Sequence, residues 1–286
     1  MSKLKSYAKL LRLKHCIKNV LIWLPLVFNE SLFDAVKLRS VILGFISFSL
    51  MASVVYIIND IQDAPKDRLH PIKKKRPIAS GEVTVKEGMA LAVICLASSL
   101  VFNYLASMTI SSNLCLSLYL ILNVLYSRCL KNIPIIDITI LTSGFVIRLM
   151  YGGIITNIPI SAWLYLTVIT ASFYMGLGKR RNELNKTSNP EETRGVLKFY
   201  NYSFLDKNMY MCLCMAEVFY ALWAVDKNQK VMLWTVPVVI VLGMKYSLDI
   251  EGDSDGDPVE VITHDRILWV ITVIYVALVF YSIYIR

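Results

Sequence analysis

The segment from Tyr56 to Asp67 (YIINDIQDAPKD) ends a long apolar run and contains Asn59 and three carboxylates. Asp60, Asp63 and Asp67 follow the spacing i, i+3, i+7, which puts them on one face of a helix. Hard oxygen ligands in such an arrangement suit a divalent cation. We therefore predict Asn59, Asp60, Asp63 and Asp67 as Mg²⁺ ligands and as the catalytic residues.

A basic block, residues 73–76 (KKKR), follows this acidic segment closely. Cations at this point suit the phosphates that a bound metal would carry, and Lys73 and Arg76 are predicted to bind substrate. For the acidic cluster, the alternative to a metal site is a solvated helix end that only terminates a span. Pro65 disfavours helix at the residue before it, so the sequence leaves open whether Asp67 continues the helix or approaches through a kink or loop.

Composition indicates an all-α integral membrane protein. The chain has 286 residues, of which 56% are hydrophobic, and a mean hydropathy of +0.55. Apolar stretches long enough to cross a hydrocarbon core of about 30 Å recur along the whole chain. We predict nine transmembrane helices near residues 19–36, 38–58, 87–106, 110–128, 134–154, 160–178, 207–225, 231–248 and 267–284.

The distribution of Lys and Arg predicts the orientation. Most of the 30 basic residues lie before the first span and in the loops near 59–87, 179–206 and 249–266. Cytoplasmic loops carry such an excess, so we expect a plasma-membrane protein with a cytoplasmic N-terminus and one membrane domain over residues 1–286. The net charge of +9 reflects this topology. Nucleic-acid binding would need a soluble basic face, which the sequence does not offer. The sequence leaves a homo-oligomer open.

Two adjoining motifs carry a resemblance to a known family. The pattern from Asn59 to Asp67, followed by residues 76–81 (RPIASG), is similar to the first aspartate motif of the UbiA-type intramembrane transferases. The resemblance implies a bundle of about nine transmembrane helices around a central cavity open to the cytoplasmic side. It also implies that Mg²⁺ bound by the aspartates holds a diphosphate in that cavity.

The segment after the sixth predicted span departs from the common pattern of that family. Prenyl-transferring members have a second aspartate motif there, whereas this chain has residues 178–183 (GKRRNE). Cations bind phosphate directly, although they are also ordinary anchors at the end of a span. The segment resembles one branch of the family, the polyprenyl-phosphate phosphoribosyltransferases, which implies substrate-binding roles for Lys179, Arg180 and Glu183.

Further segments resemble the same branch over nearly the full length. They are residues 18–19, 126–137, 143–148, 257–260 and 265–266. The substrate-binding residues that follow from them are Lys18, Asn19, Lys131, Asp137, Arg148 and Arg266. For Arg148 the sequence leaves two roles open, because an intramembrane arginine either binds a lipid phosphate or pairs with Glu217.

The resemblance implies a Mg²⁺-dependent transfer of a 5-phosphoribosyl group from phosphoribosyl diphosphate to a polyprenyl phosphate, for synthesis of cell-envelope polysaccharide. Two alternatives remain from the sequence. A prenyltransferase acting on an aromatic acceptor shares the first motif, and the missing second motif argues against it. A transporter predicts charged or broken helices at mid-membrane, whereas the charges here concentrate on one predicted face.

Overall fold

The computed structural model describes residues 3–69, 73–186, 195–227, 230–251, 261 and 265–285, and within these ranges its regular structure is entirely helical. The all-α prediction is confirmed. The α-helices are α1 (Lys3–Leu10), α2 (Leu24–Phe28), α3 (Ala35–Asp67), α4 (Val85–Ala106), α5 (Ile110–Arg128), α6 (Ile136–Thr156), α7 (Ala162–Asn185), α8 (Tyr202–Asp226), α9 (Lys230–Leu233), α10 (Thr235–Glu251) and α11 (Arg266–Tyr284). Short 3₁₀ helices cover Leu13–Trp23, Lys73–Lys75, Leu130–Asn132 and Gly195–Phe199.

Seven helical segments in the described residues are long and apolar enough to cross a membrane: α3, α4, α5, α6, α8, Lys230–Glu251 (α9 with α10) and α11. This is the pattern of a multi-pass membrane protein. Helix α7 has 24 residues, but its last two turns carry the polar segment 178–185. The seven agree with predicted spans in position, while the total of nine stays a prediction.

The first predicted span, residues 19–36, is wrong as a single helix. A 3₁₀ helix over Leu13–Trp23 leads into the five-residue α2, whose first turn contains Pro25. Proline is tolerated there because the first turn has no hydrogen bond to lose. The next helix begins at Ala35, since the Asp34 carboxylate caps it by accepting from the backbone N–H groups of Val36 and Lys37 at 3.0 and 3.2 Å.

Two predicted loops begin later than expected. Helix α3 continues through Pro65 to Asp67, and the backbone N–H of Arg68 donates to the Ala64 carbonyl oxygen at 3.1 Å beyond the proline. Helix α7 likewise continues to Asn185 instead of ending at 178. The longer helices hold Asp67 and Lys179 in regular backbone, where their positions follow from helical register.

The chain divides into two compact units. The first unit comprises Met1–Arg128 and Ile147–Pro159, and the second comprises Cys129–Val146 and Ile160–Arg286. In the first, α3 packs against α4 and α5, around buried side chains that include Phe48, Leu116 and Tyr151. In the second, α7 packs against α8, and α10 against α11.

Candidate active site

The aspartate face of α3, defined as Asp60, Asp63 and Asp67, lies at the C-terminal end of that helix. Asp60 and Asp67 are 3% and 4% exposed, and their separation of seven residues brings them to the same side two turns apart. Asp63 and the neighbouring Asn59 are half-buried. The structure thus places all four predicted metal ligands on one helix and settles the position left open for Asp67.

One guanidinium connects the two buried carboxylates. The Arg76 Nη1 lies 2.7 Å from Asp67 Oδ2 and 3.3 Å from Asp60 Oδ1. Asp60 and Asp67 therefore lie close enough together to share a cation. Arg76 was predicted to bind phosphate, and in this structure its charge is balanced by carboxylates.

A second guanidinium, that of Arg12, reaches Asp60 from the N-terminal part of the chain. Its Nη2 donates to Asp60 Oδ1 at 2.6 Å, and its guanidinium carbon lies 4.8 Å from the centre of the Tyr56 ring. Arg12 has φ of 51°, in the left-handed region, between α1 and the 3₁₀ helix that follows. This unusual backbone conformation for a non-glycine residue turns the chain where the side chain meets α3.

Asn59 is held by a hydrogen bond from the end of α5. The Ser127 Oγ donates to Asn59 Oδ1 at 2.5 Å. This contact orients the Asn59 carboxamide and ties the C-terminal ends of α3 and α5 together.

A compact turn positions Arg76. The Ser80 N–H donates to the Arg76 carbonyl oxygen at 2.8 Å, and the Val83 N–H donates to the Pro77 carbonyl oxygen at 3.0 Å. Gly81 has φ of +81°, which only glycine adopts without strain. Ile78, 2% exposed, anchors the turn in the apolar core. The turn therefore requires a glycine at position 81, the last residue of the motif 76–81.

A cavity of about 450 Å³ opens beside Asp60 in the first unit. It is lined by Ala8, Lys9, Arg12, Leu13, Lys14, His15, Asp60, Arg76 and Pro77. Its size is that of a small-molecule site. Four cationic side chains against one carboxylate make it suited to an anionic ligand.

The chemistry of the aspartate face fits Mg²⁺. Among the described residues, no group of three or more His, Cys, Asp and Glu side chains is arranged to hold a metal ion. Mg²⁺, however, is commonly bound through one or two carboxylates together with substrate phosphates. Asp60 and Asp67 already share a positive group, the Arg76 guanidinium, so their charge and spacing suit a cation.

In the second unit, Arg180 is the centre of a buried ion network. Its Nε lies 2.6 Å from Asp137 Oδ2, and its Nη1 lies 2.6 Å from Glu183 Oε2. Arg180 and Asp137 are both 0% exposed. Three predicted substrate-binding residues are thus brought together, and the Arg180 charge is balanced by two carboxylates.

Tyr200 completes this network. Its hydroxyl donates to Asp137 Oδ1 at 2.6 Å and accepts from the Ile135 N–H at 2.6 Å. Burial and the Asp137 carboxylate raise the pKa of Tyr200 above its ordinary value, so the phenol stays protonated. Ile135 has φ of 68°, a strained conformation for a β-branched residue, and the Tyr200 bond helps to hold it.

The remaining predicted cations occupy less buried positions. Lys179 is half-buried on α7, and Lys18 and Lys131 are half-buried in 3₁₀ helices. Lys73 and Arg266 are exposed. Residues 257–260, which contributed to the resemblance, lie outside the described residues.

Arg148 lies in the first unit, 5% exposed. Its Nε donates to Asn19 Oδ1 at 2.7 Å and its Nη2 donates to the Tyr119 hydroxyl at 3.1 Å. The guanidinium carbon is 5.0 Å from the ring centres of both Phe48 and Tyr119. Asn19, 1% exposed, therefore acts here as a partner of Arg148. The buried guanidinium charge of Arg148 is thus stabilised by an amide, a phenol and two aromatic rings.

Sequence reasoning missed three contributors to these sites: Arg12, Ser127 as the partner of Asn59, and Tyr200. Arg12 is 48 residues from Asp60, and its cation resembles any other near the N-terminus. Ser127 lies in the resembling segment 126–137, where its sequence position does not indicate a contact with Asn59. Tyr200 lies in an irregular stretch before α8, and nothing local marks it as a partner of Asp137.

Comparisons with known proteins agree with the family resemblance that the sequence motifs carry. The model of the UbiA prenyltransferase family matches residues 22–180. The decaprenyl-phosphate phosphoribosyltransferase of Corynebacterium glutamicum is 31% identical over 287 residues, covering 97% of this chain and 86% of that protein. The Mycobacterium tuberculosis protein of the same name is 30% identical over 280 residues, with coverage of 95% and 92%.

Solved structures show a similar fold. A UbiA homolog from Archaeoglobus fulgidus bound to GPP and Mg²⁺ matches with a TM-score of 0.72, at 19% identity and with 97% of this chain and 99% of that chain covered. The apo structure of a UbiA homolog from Aeropyrum pernix matches with a TM-score of 0.65, at 16% identity and with coverage of 92% and 98%.

Proposed function

We propose, because this chain belongs to the UbiA prenyltransferase family, that it transfers a 5-phosphoribosyl group from phosphoribosyl diphosphate to a polyprenyl phosphate. The observation that carries the proposal is the similarity to decaprenyl-phosphate phosphoribosyltransferases, 31% identity over 97% of the chain. The family resemblance read from the sequence is thereby confirmed. The product is a polyprenyl phosphoryl-5-phosphoribose, an activated pentose for cell-envelope polysaccharide.

The proposed reaction is a substitution at C1 of the ribose. The bond between C1 and the diphosphate oxygen breaks, a bond from C1 to a lipid phosphate oxygen forms, and diphosphate leaves with the bonding electron pair. The lipid phosphate attacks as an anion, so no general base is required. Charge stabilisation and positioning are therefore the main tasks of the protein.

The aspartate face is the proposed site of the donor's diphosphate. Asp63 and Asp67, supported by Asp60 and Asn59, would hold Mg²⁺, which when bound neutralises charge on the leaving group. The buried Asp60–Asp67 pair and its shared cation support this assignment. Arg76 and Lys73 are proposed to bind donor phosphates.

In the second unit, Lys179 is proposed as a phosphate-binding cation, and Lys131 and Arg266 as further substrate-binding residues. Arg180, Asp137 and Glu183 are proposed to shape the polar site as one network, since Arg180 is buried between the two carboxylates. In the first unit, Lys18 and Asn19 from the 3₁₀ helix Leu13–Trp23 and Arg148 from α6 are also proposed as substrate-binding residues. For Arg148, its buried amide and phenol partners favour a positioning role.

The remaining parts of the proposal concern the membrane. We propose nine spans, a central cavity open to the cytoplasm, and a plasma-membrane location with the N-terminus inside. The charge asymmetry of the loops supports this orientation. The oligomeric state stays open.

The test is to incubate the purified protein with Mg²⁺, polyprenyl phosphate and phosphoribosyl diphosphate labelled in the ribose. Label is expected in the lipid phase, and only when Mg²⁺ and both substrates are present. A folded preparation that transfers no label would reject the proposal. Prenyl transfer from geranyl diphosphate to an aromatic acceptor in parallel reactions would support the prenyltransferase alternative, an activity named in the description of the matching family.

A further inference from the structure

The cavity beside Asp60 contains more positive charge than its ion pairs use. Lys9, Arg12, Lys14 and Arg76 line it, against the carboxylate of Asp60. Arg12 and Arg76 are both bound to that carboxylate, at 2.6 and 3.3 Å. Three of the four cations come from residues 9–14, a segment with no part in the aspartate motif.

We propose that this cavity binds a phosphate monoester, and that its arrival draws Arg12 and Arg76 away from Asp60. The Asp60 carboxylate, no longer paired, then becomes available to a divalent cation. The inference rests on the proposed function, because it assigns Lys9, Arg12 and Lys14 to the anionic substrate of that site. The monoester is either the 5-phosphate of the donor or the phosphate of the lipid acceptor.

Guanidinium chemistry supports such an exchange. An arginine binds carboxylate and phosphate with the same planar fork of N–H donors, so it can pass from one anion to the other without a change of charge. Arg12 and Arg76 are about one quarter exposed in their side chains, whereas Asp60 is 3% exposed. The carboxylate is therefore fixed, and the cations are the groups with room to move.

The exchange makes anion and metal binding interdependent. A ligand that removes cations from Asp60 raises the affinity of Asp60 for a metal, and by linkage the metal raises the affinity for the anion by the same factor. Arg12 then has opposite effects on the two ligands. It strengthens phosphate binding and opposes metal binding when phosphate is absent.

The experiment uses the full chain in nanodiscs, with ribose 5-phosphate and geranyl phosphate as the two monoester probes and ribose as the neutral control. Calorimetry reports monoester binding, and the spin-resonance signal of free Mn²⁺ reports metal binding. Arg12→Ala is expected to weaken binding of the preferred monoester by about tenfold and to strengthen Mn²⁺ binding by about threefold or more. Lys14→Ala should weaken monoester binding without lowering Mn²⁺ affinity, which tests the cavity independently if Arg12→Ala does not fold.

Lys5→Ala is the matched control, because Lys5 is an exposed cation on α1 that does not line the cavity. It should change neither affinity. The inference is overturned if neither monoester binds better than ribose, if Lys14→Ala and Lys5→Ala behave alike, or if folded Arg12→Ala binds Mn²⁺ no more tightly than wild type. All these affinities are measured without turnover. If the wild type transfers label but the variants bind monoester and Mn²⁺ as the wild type does, this inference alone is rejected. If the affinities change as expected but the wild type transfers no label, the proposed function alone is rejected.

Discussion

The Nε of Arg180 lies 2.6 Å from Asp137 Oδ2, and neither side chain is exposed. Arg180 also binds Glu183 at 2.6 Å, so its charge is already balanced within the protein. Its neighbour Lys179 is half-buried on the same helix. Lys179 and Arg180, adjacent in the segment 178–183 (GKRRNE), therefore have different surroundings. We expect their substitution to affect different properties of the protein.

Arg180→Ala should mainly reduce stability, whereas Lys179→Ala should mainly reduce turnover. Removing Arg180 leaves the Asp137 carboxylate buried without its cation, and breaking a buried pair costs about 3–5 kcal/mol. Lys179→Ala should lower the rate of label transfer about tenfold, which corresponds to about 1.4 kcal/mol in the barrier. Thermal unfolding in detergent and the transfer assay measure the two effects. Equal loss of stability in both variants would contradict the distinction.

Tyr200→Phe should destabilise the protein by about 1–3 kcal/mol, because the Ile135 N–H and the Asp137 carboxylate each lose a partner. The effect has a definite pH dependence. The pKa of Tyr200 is raised in the folded state, so above the ordinary phenol pKa of about 10 the unfolded chain loses the proton and the folded one keeps it. The contribution of Tyr200 is therefore complete below that pH and declines above it.

The measurement for Tyr200 is the difference in unfolding temperature between wild type and Tyr200→Phe across pH 7 to about 10.5, a range set by the ordinary phenol pKa. The difference should be constant at first and shrink at the alkaline end. Tyr202→Phe is a suitable control, because this neighbouring tyrosine is more exposed. A difference that grows with pH would contradict the proposed protonation state.

Asp63→Asn and Asp67→Asn should each lower turnover by at least about tenfold and weaken Mn²⁺ binding. Asp34→Asn makes the same chemical change on the same helix, where Asp34 caps the N-terminus of α3. Asparagine caps a helix as well as aspartate does, so this control should retain both stability and turnover. Wild-type rates in the Asp63 and Asp67 variants would remove these residues from the proposed metal site.

Gly152→Ala should disrupt the contact between α6 and the 3₁₀ helix Leu13–Trp23. A Cβ at Gly152 would lie 2.3 Å from the Ile22 carbonyl oxygen, a backbone atom that cannot rotate away. The Arg148–Asn19 bond joins the same two segments. We expect a lower unfolding temperature and reduced turnover.

Gly176→Ala is the comparison for Gly152→Ala. Its Cβ would meet only side-chain methyl groups of Thr142 and Ile138, at 3.2 and 3.3 Å. Alanine is favoured over glycine in a helix by about 1 kcal/mol, which offsets this mild crowding. Similar unfolding temperatures for the two variants would mean that the close approach at Ile22 contributes little.

The sequence was sufficient to predict the helical membrane fold and the aspartate motif, because hydrophobic length and carboxylate spacing are local properties. It was insufficient for the partners of those carboxylates. Arg12 reaches Asp60 through a left-handed residue that no local pattern indicates. The first predicted span was wrong because its apolar residues form part of a 3₁₀ helix and the short α2. A new helix, α3, begins after its N-cap Asp34.

The aspartate face also has a consequence for the unloaded protein. Asp67 is the last residue of α3, and the unpaired carbonyl groups at a helix C-terminus carry a partial negative charge. A carboxylate in the last turn, such as that of Asp67, is disfavoured there by roughly 0.3–1 kcal/mol. Arg12 and Arg76 thus act as counterions supplied by the polypeptide itself. They offset the repulsion between the carboxylates and so allow this end of α3 to stay folded when no ligand is bound.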